Sequence, residues 1–191
     1  METTGLRERK KARTRQALAD AALKLFLQRG YDGVTVAQIA DAAEVSLATL
    51  FKHVPDGKEA LIFDDGTERR DALVEAVRDR PDGTPVLEAL HAYMAGRGPF
   101  AGDLPADLQG KRELIVATPA LRGYQRRLWV ASEDALAAAI AAEANQEAPG
   151  AATRALARYV LEIPDIAGMD PNPRESLDAI FDLLTSGWSA L

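Results

Sequence analysis

The chain has no cysteine. That excludes a disulfide framework, a thiolate zinc site, an iron–sulfur cluster and a cysteine nucleophile. It has only two histidines, His53 and His91, so a two-histidine metal site or a histidine relay would need both. No metal and no cofactor are expected. No stretch of about 18 uncharged apolar residues occurs, so no membrane partner and no spanning helix are expected. The opening METTGLRERKKARTRQ is polar and basic and lacks the apolar centre of a signal peptide, so a cytoplasmic location is expected. Sustained alternation of β-branched residues is missing as well, which leaves no strand to assign. There is no glycine-rich phosphate loop and no HExxH. The acidic neighbours Asp64/Asp65 and Glu133/Asp134 point apart on a helix and form no dyad. An enzyme would have only His91 as a base outside the N-terminal segment, and a non-catalytic protein is expected.

What is present is ordinary globular material: 191 residues, 47% apolar and 27% charged. That length makes one or two domains with a real core. The net charge of -6 hides an asymmetry. Residues 1–60 carry ten Lys and Arg against eight Asp and Glu, whereas the remainder carries thirteen against twenty-one. Within the first fifteen residues Arg7, Arg9, Lys10, Lys11, Arg13 and Arg15 face only Glu2 and Glu8. A basic end on an acidic body is either a solubilising terminus or the part that meets a polyanion.

Helical periodicity runs through the whole chain. Leu18, Ala21, Ala22, Leu25 and Phe26 form one apolar stripe, and Gly30 stands where glycine closes a helix. Thr35 can cap a second helix with Val36, Ile39, Ala40 and Ala43 inside, and Ser46 a third with Leu47, Leu50 and Phe51. Val54-Pro55-Asp56-Gly57 is a break. A fourth helix over about 58–80 falters at Asp64-Asp65-Gly66, which predicts a kink or a split. Further helices are expected over 84–97, 106–118, 119–145, 151–163 and 174–188, with a loose stretch from Gly96 to Pro105 and prolines 164, 171 and 173 between the last two. An all-α fold follows.

Thr35–Lys58 reads TVAQIADAAEVSLATLFKHVPDGK. Two short helices joined by a three- or four-residue turn make a helix-turn-helix. Ala40 is small where the helices cross, and Ile39, Val45 and Leu50 pin the second helix to the first and to the Leu18/Leu25/Phe26 stripe. Ser46, Leu47, Ala48, Thr49, Lys52 and His53 remain outside, small or hydrogen-bonding side chains that suit a major groove. The plainer alternative is an αα-hairpin whose outer residues are merely solvated.

The stretch ALADAALKLFLQRGYDGVTVAQIADAAEVSLATLFKHVPDGKEAL resembles the DNA-binding domain of the TetR family of transcriptional regulators. The LF…RGYDGVT junction, the IA..A.VS turn, TLFKH and the Pro…Lys-Glu-Ala-Leu that follows carry the resemblance. It implies a three-helix DNA-binding domain over 1–57 and a larger helical ligand-binding and dimerisation domain over 58–191. It also implies a homodimeric repressor, released from a pseudo-palindromic operator by a small, mainly apolar effector. Carried over position by position, Thr35 would bond a phosphate, and Ser46, Leu47, Ala48 and Thr49 would face bases. Phe51, where a tyrosine is usual, would pack on the sugar backbone. Lys52, His53 and Lys58 would neutralise phosphates, and Arg13 and Arg15 would reach the flanking backbone or minor groove. Two departures stand out. Glu44 occupies a turn position usually held by glycine, where a left-handed backbone would cost about 1 kcal/mol. The 54–58 loop is one residue longer than usual.

Beyond residue 58 the sequence gives class rather than identity. Aromatic and polar residues of the middle helices, Phe63, His91, Tyr93, Met94, Phe100, Tyr124 and Trp129, are the candidates for an effector pocket. Two late stripes are candidates for a dimer interface: Leu156, Tyr159 and Val160, and Leu177, Ile180, Phe181, Leu184 and Trp188. Either stripe is equally consistent with intramolecular core. The alternative to a DNA-binding regulator is a helical dimer that binds a small molecule or a protein without DNA.

Overall fold

The computed structural model describes residues 2–102 and 105–187. The described residues fold into α-helices and short 3-10 turns. In chain order the helices are α1 (Glu2–Arg29), α2 (Val36–Ala42), α3 (Leu47–His53), α4 (Thr67–Arg78), α5 (Val86–Ala95), α6 (Ala106–Ala117), α7 (Pro119–Val130), α8 (Glu133–Glu143), α9 (Ala151–Ala167) and α10 (Pro173–Ser186). One-turn 3-10 helices fill Lys58–Leu61 and Gly98–Phe100.

Contacts divide the chain into two units, 1–65 with 107–124 and 66–106 with 125–191. In the first, Leu18, Ala22, Leu25 and Phe26 of α1 are buried against Ile39 and Ala40 of α2, Leu50 of α3, and Leu114, Ile115 and Leu121 of α6 and α7. The expected stripe of α1 is therefore the centre of this core. Gly30 ends α1 with a left-handed φ of 76° and donates to the Phe26 carbonyl, the αL closure that glycine allows. The expected fourth helix is split as its sequence suggested: Gly66 takes φ 77° and starts α4 after the short turn at 58–61.

The second unit buries Leu73 and Val77 of α4, Leu90 and Met94 of α5, Leu136 and Ile140 of α8, Val160 and Leu161 of α9, and Leu177 and Phe181 of α10. Alanines at 137, 141 and 157 are buried too, which lets backbones approach closely. Arg126 pairs with Glu162 at 2.5 Å, and Arg158 pairs with Glu133.

The basic N-terminal segment continues α1 as helix. Two expectations are corrected. The helix expected over 119–145 is two: Ala131 and Ser132 interrupt it, with the Ser132 amide donating to Trp129 one residue short of helical register. Pro164 does not end α9, which runs on to Ala167. A proline keeps a helical φ and removes one donor; here only the last turn lies beyond it.

Candidate nucleic-acid interface

The turn between α2 and α3 is closed by main-chain bonds. The Val45 amide donates to the Ala40 carbonyl at 3.0 Å and the Glu44 amide to Asp41 at 3.1 Å. This pair of bonds is the Schellman closure, which needs a left-handed residue after the helix cap. Glu44 is that residue, with φ 55°. At the other end of α2, Thr35 and Gln38 form a capping box: the Gln38 amide donates to Thr35 Oγ1 at 3.3 Å and the Thr35 amide to Gln38 Oε1 at 2.9 Å. The T-x-x-Q signature of this box was legible in the sequence, yet the phosphate expectation used Thr35 alone. Both of its donors are engaged within the protein, since its hydroxyl also reaches Gln38 Oε1 at 3.3 Å.

α3 is capped by Ser46, whose Oγ accepts from the Thr49 amide at 3.1 Å and lies 2.8 Å from the Thr49 hydroxyl. Leu50 anchors the helix in the core. What α3 turns outward is Leu47, Ala48, Phe51 and Lys52, with Thr49 and His53 half-buried. Leu47 is 42% and Phe51 51% exposed. Two large apolar side chains on a seven-residue helix are not needed by this domain's own core.

The C-terminal end of α3 is fixed by Arg15. Its guanidinium donates to the His53 carbonyl at 3.4 Å and to the Phe63 carbonyl at 3.3 Å. Arg15 thus sits half-buried on α1 with its donors on the main chain, while Arg13 is exposed. Lys58 is held the same way. Its ammonium donates to the carbonyls of Tyr31 at 2.7 Å and Val34 at 2.8 Å and lies 3.9 Å from the centre of the Tyr31 ring. The Tyr31 hydroxyl donates to the Glu59 carboxylate. Burial, and then that carboxylate, push the Tyr31 pKa up. Neither anchoring role was visible in the sequence, because the acceptors are carbonyls that any residue supplies.

Charge gathers at the same edge. His53 is held below its usual pKa by burial first, then by the positive charges of Lys11, Lys52 and Arg15. The basic stretch of α1 therefore reaches the basic end of α3 through Arg15, with the charge of Lys11 near enough to act on His53. Imidazole, two ammonium groups and one guanidinium make an electropositive edge beside the outward face of α3.

The candidate effector residues do not form one site. Phe63 and Tyr124 belong to the first unit, their rings stacked 5.7 Å apart. In the second unit Met94 and Phe100 are core residues, 1% and 4% exposed. The Tyr93 hydroxyl donates to the Arg69 carbonyl at 3.4 Å, and the Arg69 guanidinium lies 4.8 Å from the Trp129 ring centre. His91 alone of these lines a cleft between α5 and α10, about 640 Å³, with Val86, Leu87 and Phe181. Its Nε2 is 2.6 Å from Asp178 Oδ1, and that hydrogen bond is the main reason the Asp178 pKa is lowered. Of the late stripes, Val160, Leu177 and Phe181 lie in the chain's own core. Leu156, Ile180 and Leu184 are half-buried, and Tyr159 is 61% exposed. Ile166, absent from the sequence reading, is also 61% exposed. Trp188 lies outside the described residues.

α2 and α3, with α3 capped, anchored in the core by Leu50 and free on its outer face beside an electropositive edge, form a helix-turn-helix of the nucleic-acid-binding kind. Comparison with known proteins agrees. Residues 18–64 match the family model for bacterial regulatory proteins, tetR family. That segment is therefore a domain of the tetR family. The HTH-type transcriptional regulator TcmR of Streptomyces glaucescens is 38% identical over 144 residues, 72% of this chain. The chain spans 63% of the length of that curated relative. Two solved structures share the fold. One is a TetR-family transcriptional regulator from Mesorhizobium loti, with TM-score 0.53 and 19% identity, covering 92% of this chain and 96% of that one. The other is Thermus thermophilus FadR in complex with lauroyl-CoA, with TM-score 0.50 and 22% identity, covering 91% of this chain and 94% of that one.

Proposed function

We propose that this protein is a ligand-responsive transcriptional repressor that binds operator DNA as a homodimer. The observation that carries the reading is the outward face of α3. Leu47, Ala48, Phe51 and Lys52 stand free of the core, and Arg15 fixes the helix end from behind. In this reading Leu47 and Ala48 meet base edges and thymine methyl groups, with Ser46 and Thr49 supplying hydroxyls. Phe51 packs on the sugar backbone. Lys52, His53, Lys11 and Arg13 supply phosphate contacts. Arg15 and Lys58 act as positioning residues, because their charges are already bonded to carbonyls.

The homodimer would use what α9 and α10 leave outside. Tyr159 and Ile166 are seven residues apart on α9, two turns along one face. Exposed Ala152 and Ala155 continue that face, and half-buried Leu156, Ile180 and Leu184 flank it. Val160, Leu177 and Phe181 then support the interface from within. Two-fold symmetry makes the operator pseudo-palindromic, with half-sites about 34 Å apart or a little more.

Repression relieved by ligand follows from linkage. A ligand that favours a dimer with mismatched recognition helices lowers operator affinity by its own differential affinity for the two states. A coupling of about 1–3 kcal/mol gives about a 5- to 150-fold loss. The solved relative in complex with lauroyl-CoA, whose acyl chain is apolar, supports an effector with an apolar part, and the His91 cleft is the site we assign to it, with Val86, Leu87 and Phe181 as floor and His91, Asp178 and Arg174 as its polar side.

The test is operator selection from a random duplex library, with the Lys52→Ala/His53→Ala double variant as control. Recovery of a palindromic motif that the control loses supports the reading. Absence of enrichment over the control at moderate salt overturns it.

A further inference from the structure

The N-terminal unit holds a cleft that the DNA-facing residues do not use. α1 forms one wall and residues 60–64 the other, with Lys111 of α6 at the side, and the enclosed space is about 490 Å³. That is within the usual size of small-molecule sites, about 300–1,000 Å³. The walls are largely apolar: Ala19 and Leu23 on α1, Ile62 and Phe63 opposite. The Phe63 ring is held in place by its stack on Tyr124.

The polar groups of the cleft differ in how they are satisfied. Arg15 is bonded to two carbonyls, and the Gln16 amide donates to Asp20 at 2.8 Å. Lys111 is the exception. Among the described residues its ammonium makes no hydrogen bond or ion pair, and it stands 5.9 Å from the centre of the Phe63 ring. It is half-buried, and burial lowers its pKa against the opposing pull of Asp64. A charge drawn partly out of water with no hydrogen bond or ion pair is costly, and an incoming counter-charge lowers that cost.

We propose that this cleft binds a small amphipathic monoanion, its carboxylate on Lys111 and its apolar body between Leu23 and Phe63. Asp20 and Asp64 on the rim repel a second negative charge, so a phosphate dianion is disfavoured. The cleft shares Arg15 with the end of α3, so an occupant touches the side chain that fixes that helix. The binding claim itself does not depend on what α3 recognises.

The test uses 1-naphthaleneacetate and its neutral twin, 1-naphthaleneacetamide, titrated calorimetrically into the full chain. The acid should bind at least about tenfold tighter than the amide, the scale of one charge-assisted hydrogen bond. Lys111→Met should bring the acid down to the amide's affinity and leave the amide within about twofold. Ala19→Leu, which fills the cleft without touching the ammonium, should weaken both. His91→Ala, in the other unit, should change neither. Equal binding of acid and amide, or none, overturns the proposal. So does acid binding that survives Lys111→Met or Ala19→Leu in a variant whose helical circular dichroism and melting are intact, or that is lost in His91→Ala.

Discussion

Replacing Glu44 by glycine should make the N-terminal unit more stable. Glu44 is exposed, so no packing is lost, and its backbone sits at φ 55° inside a Schellman closure whose two bonds need that conformation. A non-glycine residue in the left-handed region costs about 1–2 kcal/mol. Glycine gives back about 0.5–1 kcal/mol through the greater freedom of its unfolded chain. The net gain is about 0.5–1 kcal/mol. At about 2–4 °C per kcal/mol for a chain of this size, Tm should rise by about 1–4 °C. In urea, with a slope of about 2 kcal/mol per molar, the midpoint should rise by about 0.3–0.5 M. The informative series is Glu44→Gly, Glu44→Asn and Glu44→Ala, followed by urea unfolding and by native-state hydrogen exchange at the amides of Ile39, Ala40 and Leu50. Alanine removes the carboxylate and keeps the strain, so it should match the parent. Asparagine, which tolerates the left-handed region, should fall between. A glycine variant no more stable than the alanine variant would refute the strain argument and assign any gain to lost charge. Asn145 offers an internal check, since it takes φ 53° in the same closure after α8 and its replacement by glycine should gain less.

Three further outcomes follow from the interface. Lys52→Ala should lower the slope of log affinity against log salt by about 0.9, the share of one phosphate contact, in a filter-binding or anisotropy titration. Lys58→Met should leave that slope unchanged and lower unfolding stability by about 2 kcal/mol, because its ammonium bonds two carbonyls inside the protein rather than DNA; a changed slope with unchanged stability would reverse that assignment. In the proposed DNA complex His53 couples binding to protonation: its free-state pKa lies below the usual 6.5, and a neighbouring phosphate would favour the imidazolium, so affinity should rise as pH falls through about 6.5, and His53→Gln should flatten the profile. The same depressed pKa acts oppositely on folding. Its stabilising share is complete above 6.5 and is lost as pH falls from there through the folded-state value, which native-state exchange across that range will register.

The N-terminal domain was legible because its signals are local. The α1 stripe, the caps at Thr35 and Ser46 and the closing Gly30 each depend on a few neighbouring residues, and each is found in place. What escaped depends on partners without a side-chain signature. Arg15 and Lys58 read as free positive charges, yet their acceptors are the carbonyls of His53, Phe63, Tyr31 and Val34. The effector candidates are aromatic and polar residues of the middle helices, and aromatic character is shared by core residues such as Phe100 and by stacked pairs such as Phe63 and Tyr124. The interruption at Ala131–Ser132 carries a local signal, Ser132 followed by Glu133 and Asp134 at the start of α8, but the apolar spacing through Leu128, Ala131 and Ala135 runs across it. Pro164 misled in the other direction, since a proline one turn from a helix end removes little.

The continuity of α1 changes what its basic residues are. A helix of 28 residues is about 42 Å long, and Arg15 clamps it to the end of α3 near its middle. Arg7, Lys10, Lys11 and Arg13 therefore travel as marks on a turning shaft rather than on a loose thread. A thread tolerates added length, whereas a shaft keeps phase. One residue inserted between Leu6 and Ala12 would rotate everything before it by about 100°, and a full turn of insertion would nearly restore the original bearing. Insertions in this segment should thus impair function with a period of about 3.6 residues.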